Sequence, residues 1–448
     1  MEFKNDAWSH RGEIMKYYLA IDLGATSGRH VIGYQDNGEI ILKEIYRFRT
    51  QTDDSPDGLV WDIPRIYNEI KYGIKKAFEE YSVIESISID TCGVDYVLMN
   101  GDKEITPYYA YRNERCQKSV QKVHKIVNFD DIYRKTGIQF AAFNTLYQLF
   151  DDKEKGRLEK ATDYLMLPSY FSYKLTGAKT HEYTNESTGA LLDATTGDYD
   201  YELLDRLGLP RKFFGKINKP GEEVGELLPE IQEEVGGNCK VYLCASHDTA
   251  SAFESVNIDD DSIILSSGTW SLLGIKTNGP IISNESLEAN YTNEGGVDYI
   301  RFLKNIMGMY LANRVIDETG LDFKTLDSLI FDSDYKETFD VNDSSLNAPK
   351  KMKEAILELL KKNPPKNDID LFASIYRSQA VCYKKAIDEL EKITKRKYKK
   401  IYIIGGGARN VFLNHMVKEY TGLKVIPMPI EATALGNILV QMKASKEL

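Results

Sequence analysis

The sequence predicts an α/β protein built from two domains. Three observations lead there. The chain is 448 residues long, more than one hydrophobic core usually serves. Short apolar runs alternate with longer amphipathic stretches along its length, the pattern of strands connected by helices. That pattern starts afresh near residues 255–262, after "ASHDTASAF". The expected division is an extension over 1–14, an N-terminal domain over 15–255 and a C-terminal domain over 256–448.

In chain order, "YYLAID" and "RHVIGY" read as strands flanking a Gly-rich turn, and "ESISIDTCGVDYVLM" is a second strand region. "NTLYQLFDDKEKGRL" and "LPSYFSYKLTG" have helical spacing, the latter closed by Gly177. The apolar "VYLC" runs into "ASHDTASAF", which opens a helix. Beyond it, "SIILSSGTWSLLGIK" again sets a glycine-containing turn between two apolar segments. "DIDLFASIYRSQAVCYKKAIDELEKI" predicts a long helix, and "KKIYIIGGGARN" a strand ending in three glycines before a last helical region.

Composition narrows the function. Hydrophobic residues at 42% and charged residues at 28% are ordinary for a folded soluble protein. With 57 basic against 68 acidic side chains the net charge is -11, which speaks against nucleic acid or an anionic membrane surface as the partner. The five cysteines (Cys92, Cys116, Cys239, Cys244 and Cys382) show no CxxC or Cys/His ligand spacing, so a reducing cytoplasm is expected and structural zinc is not. The opening "MEFKNDAWSHRGEIM" lacks the apolar core of a signal peptide, and no run reaches transmembrane length.

Three Gly-rich turns and one carboxylate carry the chemistry. In "AIDLGATSGRH" an Asp ends a strand before Gly24, Ala25, Thr26, Ser27, Gly28 and Arg29. Small residues let backbone N–H groups close on a phosphate, Thr26 and Ser27 add hydroxyls, and Asp22 can hold a metal through water. Taken alone, the stretch is equally an ordinary hairpin. "LSSGTWSLLG" repeats the logic with Ser266, Ser267, Gly268 and Thr269, and two such hairpins would clasp a polyphosphate from both sides. "YIIGGGARN" ends a strand in a way that lets a flat ring lie against backbone. Asp248 in "ASHDTASAF" falls where a chain places a helix cap, and capping alone would explain it. Neither GxxxxGK[ST] nor GxGxxG follows any strand, so the P-loop and Rossmann readings lose their main support.

The order Asp-Leu-Gly-x-Thr, Ser-Gly-Thr, Gly-Gly-Gly resembles the actin-like ATPase (ribonuclease H-like) fold and, within it, the FGGY carbohydrate kinases. "IDTCGVDYVL", "AYRNER", "EYTNESTG", "ASHDTASA", "NYTNEGG", "LKNIMG" and "IEATALGNI" extend the resemblance from about Tyr17 to Ile438. It implies a nucleotide and sugar cleft between two domains. It also implies ATP- and Mg2+-dependent transfer of the γ-phosphate to the 1-hydroxyl of a ketose in rhamnose metabolism, L-rhamnulose ahead of L-fuculose or L-xylulose. A cytoplasmic monomer or small homo-oligomer is expected. Carried over by position, the catalytic base falls on Asp248, and the sugar contacts on Gly93, His247, Asp248, Thr249 and Asn305. The ATP contacts fall on Ala25, Thr26, Ser27, Gly28, Arg29, Thr269 and Gly406, and Asp22 is the partner of a hydrated magnesium. Cys92 stands where the family often has Trp, and Asn313 where a Gln is expected near the nucleotide.

The implied chemistry is physically consistent. A sugar hydroxyl is a poor nucleophile at neutral pH and needs a carboxylate to take its proton while the phosphate is held in line. A module that only binds nucleotide to switch conformation is the reading from another class, but it has no need of "GVD", "HDT" and "KNIMG" together. His30 and His181 lack partners at ligand spacing and read as surface or satisfied polar residues; "KITKRKYKK" reads as a solvated helix end, and "SYFSYKLTG" as core.

Overall fold

The computed structural model describes residues 15–428 and 431–448, so the extension expected over 1–14 lies outside the described residues. Packing divides the chain into two units. The first takes the chain through Ser255 together with Lys276–Arg301 and Thr433–Leu448; the second holds Val256–Ile275 and Phe302–Ala432. One division falls after Ser255, and the segments Lys276–Arg301 and Thr433–Leu448 pack with the first unit. Two later segments return to the first unit because their polar groups are satisfied there. Asn293 Nδ2 donates to the Gly137 carbonyl at 3.0 Å, and Asn437 Nδ2 donates to Asp90 Oδ2 at 2.6 Å.

The strands of the first unit are β1 (Tyr18–Leu23), β2 (Gly28–Asp36), β3 (Glu39–Phe48), β4 (Ser86–Thr91), β5 (Tyr96–Asn100), β6 (Lys103–Ile105), β7 (Asp163–Met166), β8 (Glu223–Glu226) and β9 (Lys240–Tyr242). Six of them form a sheet in the order β8-β9-β4-β1-β2-β3. β1 is antiparallel to β2 and parallel to β4, and β9 is parallel to β4. Every residue of β1 and β4 is buried, as expected of central strands covered on both faces. On one face Leu19, Ile21, Ile87 and Ile89 pack with Ile66, Ile70, Ile74 and Ala77 of α1 (Ile63–Glu80). Asp62 caps α1 by accepting from the Arg65 N–H at 3.1 Å. On the other face Tyr18, Ala20 and Val31 meet Ala434, Ile438 and Met442 of the helix Ala432–Ala444. The alternation of Leu19 and Ile21 with Tyr18 and Ala20 is the two-residue period of a strand.

A smaller sheet, β6-β5-β7, with α2 (Thr145–Glu154) and α3 (Leu167–Thr176), completes the first unit's body. Gly177 ends α3 in the left-handed conformation, φ 77°, where a side chain would be strained. Tyr170 and Phe171 of that helix are core residues. The short helix α4 (Asp248–Glu254) follows β9.

The second unit repeats the pattern with β10 (Ser262–Ser267), β11 (Trp270–Thr277), β12 (Ile300–Met307), β13 (Lys400–Ile404) and β14 (Lys424–Pro427), in the order β12-β11-β10-β13-β14. β10 is antiparallel to β11 and parallel to β13, and β13 is parallel to β14. The order is that of β3-β2-β1-β4-β9, and β11-β10-β13-β14 repeat the sense of β2-β1-β4-β9. Its helices include α5 (Tyr310–Thr319), α6 (Asp368–Thr394) and α7 (Val411–Thr421). The lysine-rich run follows the end of α6, where Lys395 takes the left-handed cap conformation.

Candidate active site

β1 and β4 end side by side, and their register sets a carboxylate beside a carboxylate. Asp22 is opposite Asp90 on one flank and opposite Arg29 on the other. Arg29 Nη2 forms an ion pair with Asp22 Oδ2. Asp90 is fully buried; burial and then the Asp22 charge push its carboxyl well above the usual range, and the amide of Asn437 works against that shift. Asp90 Oδ1 is enclosed and has no hydrogen-bond partner among the described residues. No group of three His, Cys, Asp or Glu side chains among the described residues is set to hold a metal directly.

The turn between β1 and β2 closes by Gly24 N–H donating to the Ser27 carbonyl at 3.0 Å, with the Thr50 hydroxyl on the Gly24 carbonyl. Thr26 is exposed at its tip, and Ala25 and Ser27 are half-buried. Gly28 must be glycine because a Cβ there would lie 2.4 Å from the Phe48 ring.

Past β4 the chain turns through Cys92, Gly93, Val94 and Asp95. Val94 has φ 67°, an outlier for a β-branched residue, held by Thr188 and Thr145 hydroxyls on its N–H and carbonyl at 3.1 and 2.9 Å. A Cβ on Gly93 would stand 2.9 Å from Thr188 Oγ1. Asp95 is fully buried and accepts from Trp61 Nε1 at 2.7 Å, the Tyr111 N–H at 3.0 Å and Gln148 Nε2 at 3.3 Å. Burial still pushes its carboxyl up to about 6. Asn185 ties this turn to the next element: its Nδ2 donates to the carbonyls of Cys92 and Ser246 at 3.4 and 3.3 Å.

Asp248 does not occupy the cap. His247 is the N-cap of α4 and contributes no side-chain cap bond, while Asp248 is the first helical residue. Its carboxylate, about a third exposed, accepts from Thr249 Oγ1 at 3.1 Å and lies 3.4 Å from His247 Nε2. Burial raises the carboxyl of Asp248; His247 and the Thr249 hydroxyl oppose the rise, and Asp22 adds to it. Asp22, Asp90 and Asp248 thus feel one another electrostatically, with Arg29 as the neighbouring cation.

In the second unit the β10–β11 turn is closed by Gly268 N–H donating to the Trp270 carbonyl at 2.9 Å. The start of α5 packs on its tip: the N–H groups of Gly308 and Met309 donate to the carbonyls of Thr269 and Gly268 at 3.2 and 2.9 Å. Of the three glycines after β13, Gly405 and Gly407 lie against Ser267, where a Cβ on Gly407 would come within 2.0 Å of Oγ. Gly406 faces open space. Asn313 is exposed on α5, and Asn305 on β12 has an enclosed Oδ1 without a hydrogen-bond partner among the described residues.

The structure therefore gathers Asp22, Gly93, His247, Asp248 and Thr249 around the strand ends of the first unit, and places Thr269, Asn305, Asn313 and Gly406 in the second. Sequence reading passed over Asp90, Glu294, Arg301 and Asn437. The only local signal was the pair of acids within "IDTCGVD"; the others gain meaning from partners far away in the chain. His30 and His181 are buried, the former bonded through Nε2 to the Ile70 carbonyl at 3.0 Å and the latter through Nδ1 to Glu186 at 3.0 Å, so neither is a surface residue; His30 Nδ1 has no hydrogen-bond partner among the described residues.

Comparison with known proteins agrees over nearly the whole chain. The profile for the N-terminal domain of the FGGY family of carbohydrate kinases matches residues 17–253, and that for the C-terminal domain matches 263–445. The rhamnulokinase of Oceanobacillus iheyensis is 39% identical over 96% of this chain and 93% of its own length. That of Halalkalibacterium halodurans is 39% identical over 97% of this chain and 95% of its own. Among solved structures, a ligand-bound xylulose kinase from Lactobacillus acidophilus superposes with a TM-score of 0.82 at 18% identity, over 97% of this chain and 90% of that one.

Proposed function

The chain belongs to the FGGY family of carbohydrate kinases, and we propose that it transfers the γ-phosphate of ATP to the 1-hydroxyl of L-rhamnulose, giving L-rhamnulose 1-phosphate in rhamnose catabolism. That it is a sugar kinase follows from the family; the acceptor is our reading, supported by relatives named rhamnulokinase along almost the full chain.

The observation that carries the chemistry is the state of Asp248. It is a carboxylate on the first turn of a helix that it does not cap, partly open to solvent, with Thr249 and His247 both approaching Oδ1. Oδ2 then takes the proton of the sugar hydroxyl as it attacks the phosphorus, which raises the nucleophilicity of that oxygen only while the bond forms. The strained turn at Gly93 and Val94 brings backbone within reach of the sugar. His247 orients its hydroxyls. In the second unit Thr269 offers a hydroxyl to the phosphates and Gly406 a bare backbone to the nucleotide base. Asp22 would hold the water shell of a magnesium ion, which would supply neutralisation of charge on the phosphate oxygens. All five cysteines are unpaired, which supports the cytoplasm as the compartment.

The test is a coupled kinase assay with ATP over L-rhamnulose, L-fuculose and L-xylulose. The highest kcat/KM is expected for L-rhamnulose. A higher value for another ketose would reassign the acceptor, and ATP binding without phosphorylation of any sugar would leave a nucleotide-switch module.

A further inference from the structure

Arg301 is fully buried, an unusual place for a guanidinium, and everything it touches leads toward Asp248. Its Nε donates to the Gly295 carbonyl at 2.8 Å. Its Nη1 lies 3.1 Å from Glu294 Oε2, an ion pair in which burial would raise the Glu294 carboxyl and the arginine charge holds it below its ordinary value. Its Nη2 lies 3.1 Å from Nδ1 of His247. Nε2 of the same ring lies 3.4 Å from Asp248 Oδ1.

A guanidinium has five donors and no lone pair to accept with. The ring nitrogen facing it must therefore present its own lone pair, which leaves the proton of the neutral imidazole on the opposite nitrogen. Glu294 Oε2 is also 3.4 Å from Nδ1, but the shorter and better directed contact is that of Arg301. Accordingly, we propose that Arg301 is a positioning residue that selects the His247 tautomer with its proton on Nε2, so that the ring donates to Asp248 Oδ1 and leaves Oδ2 for the sugar hydroxyl. The proposal rests on the reading of Asp248 as general base. In the other tautomer Nε2 would carry a lone pair and repel the carboxylate, and the base would turn or take up a proton.

The test has a structural arm and a kinetic arm. Nitrogen-15 NMR of the histidine-labelled full chain, with the His247 signal assigned by its loss in His247→Gln, reports which nitrogen is protonated without need of activity. Nδ1 is expected to be unprotonated in the parent and to gain proton occupancy in Arg301→Gln. Because a lone Glu294 charge could unfold that variant, Arg301→Gln with Glu294→Gln is measured beside it, and circular dichroism checks folding. Folded variants should lose roughly tenfold to hundredfold in kcat, the scale of a misplaced catalytic group, with KM for ATP unchanged. Both His247→Gln and His247→Leu should lose activity, the former less, because the glutamine amide has an oxygen to accept from Arg301 and an N–H to give Asp248 and the leucine has neither. A protonated Nδ1 in the parent overturns the tautomer, and parental kcat in folded Arg301 variants overturns its role. If instead the parent phosphorylates no sugar while Nδ1 is unprotonated, the assignment of function fails and the tautomer stands.

Discussion

In the first unit the β1–β2 turn ends among Asp22, Asp90, Asp248 and Arg29; in the second the corresponding β10–β11 turn ends among Ser267, Gly308, Gly405 and Gly407. Both turns join antiparallel strands in sheets of the same order, so topology does not separate them. One is built from charge and the other from closely packed backbone. In the proposed function the same scaffold supplies, in one copy, groups to move protons and hold cations, and in the other, space and hydrogen-bond donors for a flat, polyanionic ligand. The difference lies in a few side chains at strand ends, which is where α/β folds keep their chemistry.

The widest break in this comparison is Asp248→Asn. His247 holds the cap position, so the amide removes a charge and little else, and Tm should barely move. Turnover should fall by roughly a hundredfold to ten-thousandfold, measured with saturating sugar and ATP. Near-parental turnover in the folded variant would strip the charged end of its role.

Asp95 sharpens the comparison through pH. Its carboxyl is pushed up to about 6 from an ordinary 3.8, so the folded state holds this proton more tightly than the unfolded chain. The stability it contributes is full below about pH 4 and lost as pH rises through 6, a change of at most about 3 kcal/mol. Asp95→Asn is destabilising at every pH, since Trp61 and Tyr111 donate to Oδ2 and Gln148 to Oδ1, so an amide NH2 in place of either oxygen faces a donor. That cost, from urea melts at pH 4 and pH 7, should be smaller at pH 7. An equal cost at both would mean the carboxyl titrates normally.

The second unit offers the finest cut, between neighbouring glycines. Gly407→Ala drives a methyl into Ser267 and should lower stability by about 1–3 kcal/mol. Gly406→Ala meets nothing within 4 Å, so Tm should hold while KM for ATP rises on the order of tenfold, about 1.4 kcal/mol. The reverse pattern, with Gly406→Ala unstable and Gly407→Ala normal, would refute the assignment of space to one and packing to the other.

The fold was legible because its signals are local. Each Gly-rich turn sits between two apolar runs, and the second set follows the first at a clear restart. Asp248 was legible as a polar residue at a strand-to-helix junction, though the cap it was expected to occupy belongs to His247. Arg301 and Asn437 were not, because neither has a local pattern; their partners, His247 and Asp90, lie 54 and 347 positions away. Val94 illustrates another limit: its φ of 67° is imposed by Thr145 and Thr188, and nothing in a valine announces it.

The helix Ala432–Ala444 returns to the first sheet, where Asn437 holds Asp90, Gln441 Nε2 donates to the Leu19 carbonyl at 3.2 Å, and Ile438 fills the space beside Gly33. On the ribosome, strands β1 and β4 emerge hundreds of residues before these partners do. At about 5–20 residues per second the 347 positions between Asp90 and Asn437 correspond to a wait of roughly 20–70 s, during which one sheet face and a buried carboxylate stay open. The first unit is therefore finished last, and a nascent chain whose synthesis stops short of Asn437 carries every proposed acceptor-side residue of the first unit without the helix that closes it.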